Sequence, residues 1–372
     1  MLRFVVVLFA SLLPVLAFAE IRVVDLAGRE VVLDSPADKV ILGEGRFMAV
    51  LGILGVKNPV SHVAAMMDEF RRFDPDSFAR YRQAFPGIDE IPTFGQTSED
   101  TVSVERAILA NPDVAIFGLQ GHGPGARSKH IIDQLTQAGI PVVFIDFRQQ
   151  PLENTARSVE IFGKVLGMEK QAAAFVNFYE SEVAKVTDRL QKSPPQHCPS
   201  VFLEMRVDTQ QSCCITISRG MFADLVEAAG GCNVAEELLP GAVGQLNQEH
   251  VIATAPEVYI GSAIGSLRKG GAAHSTHILL GPGVTNGIAQ DSLEHALQRE
   301  GFINLPATVS GQAHGIWHHF YNSPLNVYAL QKIAQWLHPE LFADLNPEQV
   351  LQQMLSLFEP VDLAGTYAVS YE

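Results

Sequence analysis

The chain has 372 residues, 47% of them hydrophobic and 18% charged, with 26 Lys and Arg against 41 Asp and Glu for a net charge of −15. That length accommodates two ordinary domains, and the apolar fraction excludes a mainly disordered chain. The acid excess excludes a general nucleic-acid binder, whose phosphate contacts need a basic surface, but it leaves room for a small anion held by local arginines.

The first nineteen residues read as a leader. Arg3 precedes an apolar run over residues 4–16, broken by Pro14, and Ala17-Phe18-Ala19 supplies a small-residue cleavage site before Glu20. The run falls short of the roughly 20 apolar residues that span a bilayer. No Cys follows the cleavage site, and no later run approaches a span. The expectation is a signal peptide cleaved after Ala19 and a soluble chain exported to the periplasm. Export makes Cys198, Cys213, Cys214 and Cys232 candidates for disulfides. Their spacing leaves all three connectivities open, a vicinal bridge included. There is no C-x-x-C, so a zinc ribbon or a thioredoxin-type motif has no support.

Beyond the leader, β-rich residues 21–26 and 30–33 flank Ala27-Gly28-Arg29 and predict a hairpin. A strand follows over 40–42, a helix over 47–54, a strand over 60–64 and an arginine-bearing helix over 76–85. Helix 104–110 precedes strand 114–117, and helix 129–138 precedes strand 142–146. Strands separated by single helices give βαβ units and a mostly parallel sheet. Val159, Phe162, Val165, Leu166, Phe175, Phe178, Val183 and Val186 then recur at helical spacing, predicting one long or once-broken helix that ends at Ser193-Pro194-Pro195. The alternation resumes with strands 201–205 and 214–217, helices 221–229 and 248–253, strand 258–260 and a helical tail over 325–358. The fold class is therefore α/β, with an N-terminal lobe over 20–152, a connecting helix over 153–193, and a C-terminal lobe with a helical tail over 194–372.

The two halves echo each other. Residues 104–116 and 248–260 match at a constant offset, with Glu105 on Glu249, Pro112 on Pro256, and an acid (Asp113, Glu257) after each Pro. Each copy follows a glycine and a polar residue, Gly95-Gln96 and Gly244-Gln245.

This organisation resembles the periplasmic substrate-binding proteins of ABC importers for ferric siderophores, haem and vitamin B12. The resemblance rests on Val24-Asp25-Leu26-Ala27-Gly28-Arg29-Glu30-Val31, the two Glu…Pro-Asp/Glu-Val segments, Ile145-Asp146-Phe147, and Leu225-Val226-Glu227-Ala228-Ala229-Gly230-Gly231. It implies a monomer that binds its ligand between the lobes, rocks to a limited extent about a helical connection, and delivers to a permease and ATPase complex at the inner membrane. It also implies that Glu105 and Glu249 dock onto permease arginines. An acid in the first turn of a helix has a simpler use as well, stabilised by the helix dipole by about 0.3–1 kcal/mol.

In open parallel sheets, ligands sit beyond the carboxyl ends of the strands. The loops there are Gly43-Glu44-Gly45-Arg46, residues 118–127, Phe147-Arg148, Arg206-Val207-Asp208, Ser218-Arg219 and residues 261–268, and each carries an arginine. A guanidinium presents a planar fork matched to carboxylates and phosphates, although any one arginine can equally serve a surface ion pair. Arg46, Arg148, Arg206 and Arg219 are the first candidates, joined by Arg268 and by His122 in Gly121-His122-Gly123-Pro124-Gly125. That glycine run lacks the Lys-Ser/Thr of a phosphate-binding loop. Trp317 and Tyr321 add rings that can stack on a catechol, porphyrin or corrin. His314 and His318 form a weak metal pair, since their i, i+4 spacing works only in a helix and Gly315 favours a strand running into a loop. No resident cofactor is expected. With no G-x-S-x-G and no H-E-x-x-H, the expectation is a binding protein rather than an enzyme. Its ligand reads as an anionic ferric siderophore. Haem or cobalamin are the alternatives, with a bare-metal binder or a metallochelatase further behind.

Overall fold

A computed structural model describes residues 20–207, 213–264 and 277–372. Two five-stranded sheets organise them. In the first, the order is Thr93–Gly95, Val63–Met67, Val40–Leu42, Val114–Gly118, Val142–Ile145, and every pairing is parallel. Val40–Leu42 and Val114–Gly118 are buried along their whole lengths, as strands covered on both faces must be. The chain winds outward from Val40–Leu42 in one direction and from Val114–Gly118 in the other, so the switch point lies between these two strands.

The second sheet runs Cys232–Asn233, Ser200–Glu204, Val258–Ala263, Ala313–Trp317, Ala368–Ser370. Its first four strands are parallel and the last is antiparallel. Its switch point lies between Ser200–Glu204 and Val258–Ala263. Two helices, Pro151–Val165 and Glu169–Lys192, connect the sheets, broken at Gly167, whose φ of +67° suits a residue without a Cβ. Tyr179 on the second of these helices donates to Asn326 Oδ1 at 2.8 Å and so ties it to helix Asn326–Leu337.

The predicted hairpin forms from Ile21–Val24 and Glu30–Leu33, and Asp25 explains its motif. This buried carboxylate accepts the amides of Ala27 (2.9 Å), Arg29 (3.0 Å) and Phe144 (3.2 Å) and the Arg29 guanidinium (2.6 Å), fastening the hairpin to strand Val142–Ile145.

The internal repeat is realised residue by residue. Helices Val104–Leu109 and Gln248–Thr254 are capped by Ser103 and Asn247, whose side chains accept from Arg106 N and Glu249 N. Both turns that follow pass through a left-handed residue, Asn111 at φ 49° and Ala255 at φ 50°. The acid after each Pro has the same use in both lobes. Asp113 accepts the amides of Asp38 and Lys39 (2.8 Å each) at the entry of strand Val40–Leu42, and Glu257 accepts that of Ser200 (2.8 Å) at the entry of Ser200–Glu204.

The structure departs from the sequence pattern where short elements lack periodicity. Pro59 opens a 3-10 turn over Pro59–His62, which moves the strand expected at 60–64 to Val63–Met67. Residues 308–309, which look strand-like, close the short helix Pro306–Val309 because Pro306 starts it. The tail beyond helix Pro347–Phe358 returns to add strand Ala368–Ser370. Cys198 pairs with Cys232, joining the start of the Ser200–Glu204 strand to the edge strand, and Cys213 pairs with Cys214. The expected leader, residues 1–19, lies outside the described residues.

If Asp113 and Glu257 are equivalent staples, D113A and E257A each lower unfolding stability by about 1 kcal/mol, read from urea midpoints. Unequal losses, with one variant unchanged, would break the equivalence of the two lobes.

Candidate ligand-binding site

The site forms at the first switch point. Strand Val40–Leu42 runs into Gly43, where a Cβ would lie 2.7 Å from the Phe117 ring, and then into Glu44 in extended conformation before a 3-10 turn at Gly45–Phe47. This close approach seats Glu44 and Arg46 in the floor of the crevice, both buried.

Glu44 Oε2 accepts from Arg148 Nη2 at 2.6 Å, from Asn322 Nδ2 at 2.7 Å and from Arg46 Nη2 at 3.1 Å. Its Oε1 accepts the His122 amide at 3.3 Å. Burial alone would raise the Glu44 pKa, but Arg148 and Arg46 outweigh it and hold the group below the usual carboxylate range. Behind it, Glu69 accepts the amides of Gly45 (2.9 Å) and Arg46 (3.2 Å). Burial pushes the Glu69 carboxyl up to about 7, with Arg46 opposing and Glu44 adding to the rise.

The second sheet supplies the opposite wall. Past strand Ala313–Trp317, the turn His318–Asn322 presents His319, whose Nδ1 lies 2.7 Å from Arg46 Nη1, and Tyr321, whose hydroxyl lies 3.4 Å from both Arg46 Nη2 and His122 Nε2. The Arg148 guanidinium sits 4.8 Å from the centre of the Tyr321 ring, a cation–π contact. His318 packs on the same ring at 4.6 Å and shares a 2.9 Å hydrogen bond with Ser262 Oγ, to which the Arg206 amide also donates (3.1 Å). Burial drives the His318 pKa far down, and Arg206, Arg46, Arg148 and His122 add to that. His122 is pushed down to about 4 by burial, with Glu44 opposing and the two arginines contributing. All these histidines are neutral at pH 7, so the charge of the site is carried by arginine and carboxylate.

Arg46, Arg148, His122 and Tyr321 thus share one cluster, and Arg206 adjoins it through Ser262 and His318. Arg219 does not join: it is exposed, with Nη2 on the Pro240 carbonyl at 3.3 Å. Trp317 is buried edge-on against His319, Phe320 and Tyr367, so it packs the wall rather than offering a free face. His314 and His318 do not converge. His314 lies in a strand, stacked on Trp336 at 4.3 Å and bonded to Ser370, whereas His318 begins the following turn. Arg268 lies outside the described residues. Glu105 and Glu249 are exposed in the first turns of their repeat helices. Sequence reading passed over Glu44, Glu69, Asn322, His319 and Ser262 as site residues. The available signal was Glu44 itself, two residues from an arginine at a strand end.

Among the described residues, one group has metal-capable atoms within 4.8 Å of each other, Glu204 with Cys213 and Cys214. Its donors are committed, the carboxylate to Arg299 (2.7 and 2.6 Å) and Tyr259 (2.6 Å), the sulfurs to each other.

Behind Arg46 and Trp317 a cavity holds Asp74, Tyr81 and Glu359. The Tyr81 hydroxyl donates to Glu359 Oε2 at 2.9 Å, and Glu359 Oε1 is enclosed without a hydrogen-bond partner among the described residues. Burial pushes Asp74 up to about 6 and Glu359 up to about 8.

The family described as periplasmic binding protein matches residues 76–308, and the chain belongs to it. It is a binding protein of the ABC-importer type, with the periplasmic location that family implies. No helix of the described residues is long and apolar enough to cross a membrane. Among solved structures, the chain is similar to a TroA-like periplasmic binding protein, FepB, from Veillonella parvula, at 24% identity and TM-score 0.82 over 95% of this chain and 100% of that one. It is also similar to the molybdate-bound binding protein MolA of Haemophilus influenzae (15% identity, TM-score 0.67, 92% and 99% covered). A periplasmic haem-binding protein from Pseudomonas aeruginosa is 15% identical with TM-score 0.56, covering 90% of this chain and 98% of that one. At these identities the likeness establishes the two-lobe fold. No curated protein sequence matches the chain.

The buried groups fix a pH profile. Glu69 and Glu359, raised in the fold, contribute stability that is lost as pH rises through about 7 and 8. The lowered histidines His122, His314, His318 and His319 contribute stability that is present above about 6.5 and lost as pH falls below it. Stability therefore peaks near neutrality and declines toward pH 8.5. E359Q shrinks that alkaline decline by about 2 kcal/mol in denaturant melts at pH 6.5 and 8.5; an unchanged decline would show that Glu359 is ionised throughout.

Proposed function

We propose that this chain is the substrate-binding component of an importer for an anionic metal chelate, a ferric siderophore in the first instance, held between the lobes and passed to a permease and ATPase complex. The observation that carries this is the pairing of Arg46 and Arg148 on Glu44 from one sheet, faced from the other by Arg206, whose amide shares Ser262 Oγ with His318. In a chain of net charge −15, two guanidinium groups against the single Glu44 carboxylate leave a local positive balance there. The Nε atoms of Arg148 and Arg206 are buried with no hydrogen-bond partner among the described residues, so both retain donor capacity. Axial ligation of haem by His319 is disfavoured, because its Nδ1 faces Arg46 and its Nε2 lies 3.0 Å from the Phe73 carbonyl.

Tryptophan fluorescence follows binding, since Trp317 touches His319 inside the site. R148A and R206A each weaken binding of ferric citrate about tenfold or more, in line with loss of a charge-assisted hydrogen bond, while binding of a neutral trihydroxamate such as ferrichrome changes little. Preference of the unaltered protein for the neutral chelate would overturn the reading.

Delivery rests on Glu105 and Glu249, the exposed acids that the repeat places alike in the two lobes. The double charge reversal E105K/E249K abolishes uptake by cells while chelate affinity stays at the unaltered value. Loss of chelate binding in that variant would remove the docking role.

A further inference from the structure

We propose that Glu44 is a built-in stand-in for an acid group of the ligand, and that loading the crevice exchanges one carboxylate for another. This rests on the anionic-ligand reading above and names the residue that sets its selectivity. Four donors reach the Glu44 carboxylate from four separate segments: Arg46 beside it, His122 N from the loop after Val114–Gly118, Arg148 from the loop after Val142–Ile145, and Asn322 from the opposite wall. Two guanidinium groups, an amide and a backbone N–H form a set that specifies a carboxylate and nothing apolar. The enclosure is tight, since a Cβ at Gly121 would collide with Glu44 Oε1, and one at Gly123 with the Gly43 carbonyl.

The place is also where this fold puts ligands, at the switch point between Val40–Leu42 and Val114–Gly118. A second carboxylate brought onto the same guanidinium groups would stand within a few ångströms of Glu44 and be repelled by it. An incoming acid group therefore displaces Glu44 and takes over Arg148 and Asn322. A ligand with no acid group has nothing to exchange and leaves Glu44 bonded across the crevice. The cost of displacing Glu44 falls on a ligand that enters its donor set, and an anion recovers it from the vacated donors.

Two measurements decide the matter. In chloride-free buffer, E44A has a lowered thermal midpoint that acetate raises by several degrees in a saturable manner, while the unaltered protein and E44A/R148A do not respond. No acetate response in E44A overturns the proposal. Independently, E44Q keeps the side-chain shape and folds without the charge; it binds ferric citrate at least tenfold more tightly than the unaltered protein and binds ferrichrome equally. Weaker binding of ferric citrate by E44Q overturns the exchange and makes Glu44 an organiser of the arginines instead. If no chelate binds either protein while acetate still restores E44A, the chelate reading falls and the carboxylate-exchange site stands.

Discussion

A carboxylate taken out of water has to be surrounded by donors, and Glu44 is 1% exposed. Much of the molecule is arranged to meet that demand. Gly43 lets the strand exit press against Phe117, and Gly121 and Gly123 let the neighbouring loop close over the carboxylate. Arg46 reaches it only because Glu69 anchors the turn's amides from behind. Asn322 closes the set from the other sheet. Breaking any one of these contacts strands a charge in a poorly hydrated place, which is why a site built for binding also bears on stability.

The two lobes share a plan but not a chemistry. Both repeat copies cap a helix, turn through a left-handed residue and fasten a central strand with the acid that follows the proline. At the switch points they diverge. The first lobe places an acid between two arginines, and the second places Ser262 between the Arg206 amide and His318. Among the described residues, the counter-charge at the switch points thus comes from the first lobe, through Glu44.

The βαβ rhythm, the hairpin, the repeat and the helical connection were legible because each has a period or a punctuating Pro or Gly that local physics fixes. Arg46, Arg148, Arg206 and His122 were legible as residues just beyond strand ends, and Tyr321 as a ring in the turn after one. Arg219 lies outside their cluster, because a residue near a strand end can point to solvent as readily as into the crevice. The His314 and His318 pairing depended on helical geometry that strand Ala313–Trp317 does not supply. Glu44, Glu69 and Asn322 were illegible for a different reason. Their roles come from partners far away in sequence, and a buried charge is recognisable only once its donors have been brought to it.

The C-terminal tail has a mechanical side. After helix Pro347–Phe358 the chain returns to the first lobe, where Gly52 is so close that a Cβ would lie 2.6 Å from Pro360 and 2.7 Å from the Phe358 carbonyl. Phe358 also meets Phe175 edge-on at 5.1 Å, and Glu359 holds Tyr81. The lobes are therefore pinned along two lines, the connecting helices and this strap. A body pinned along two lines keeps one easy rotation, about the axis joining them, and loses sliding and twisting. Rotation about the line that joins the two connections is the relative motion of the lobes that strains these contacts least.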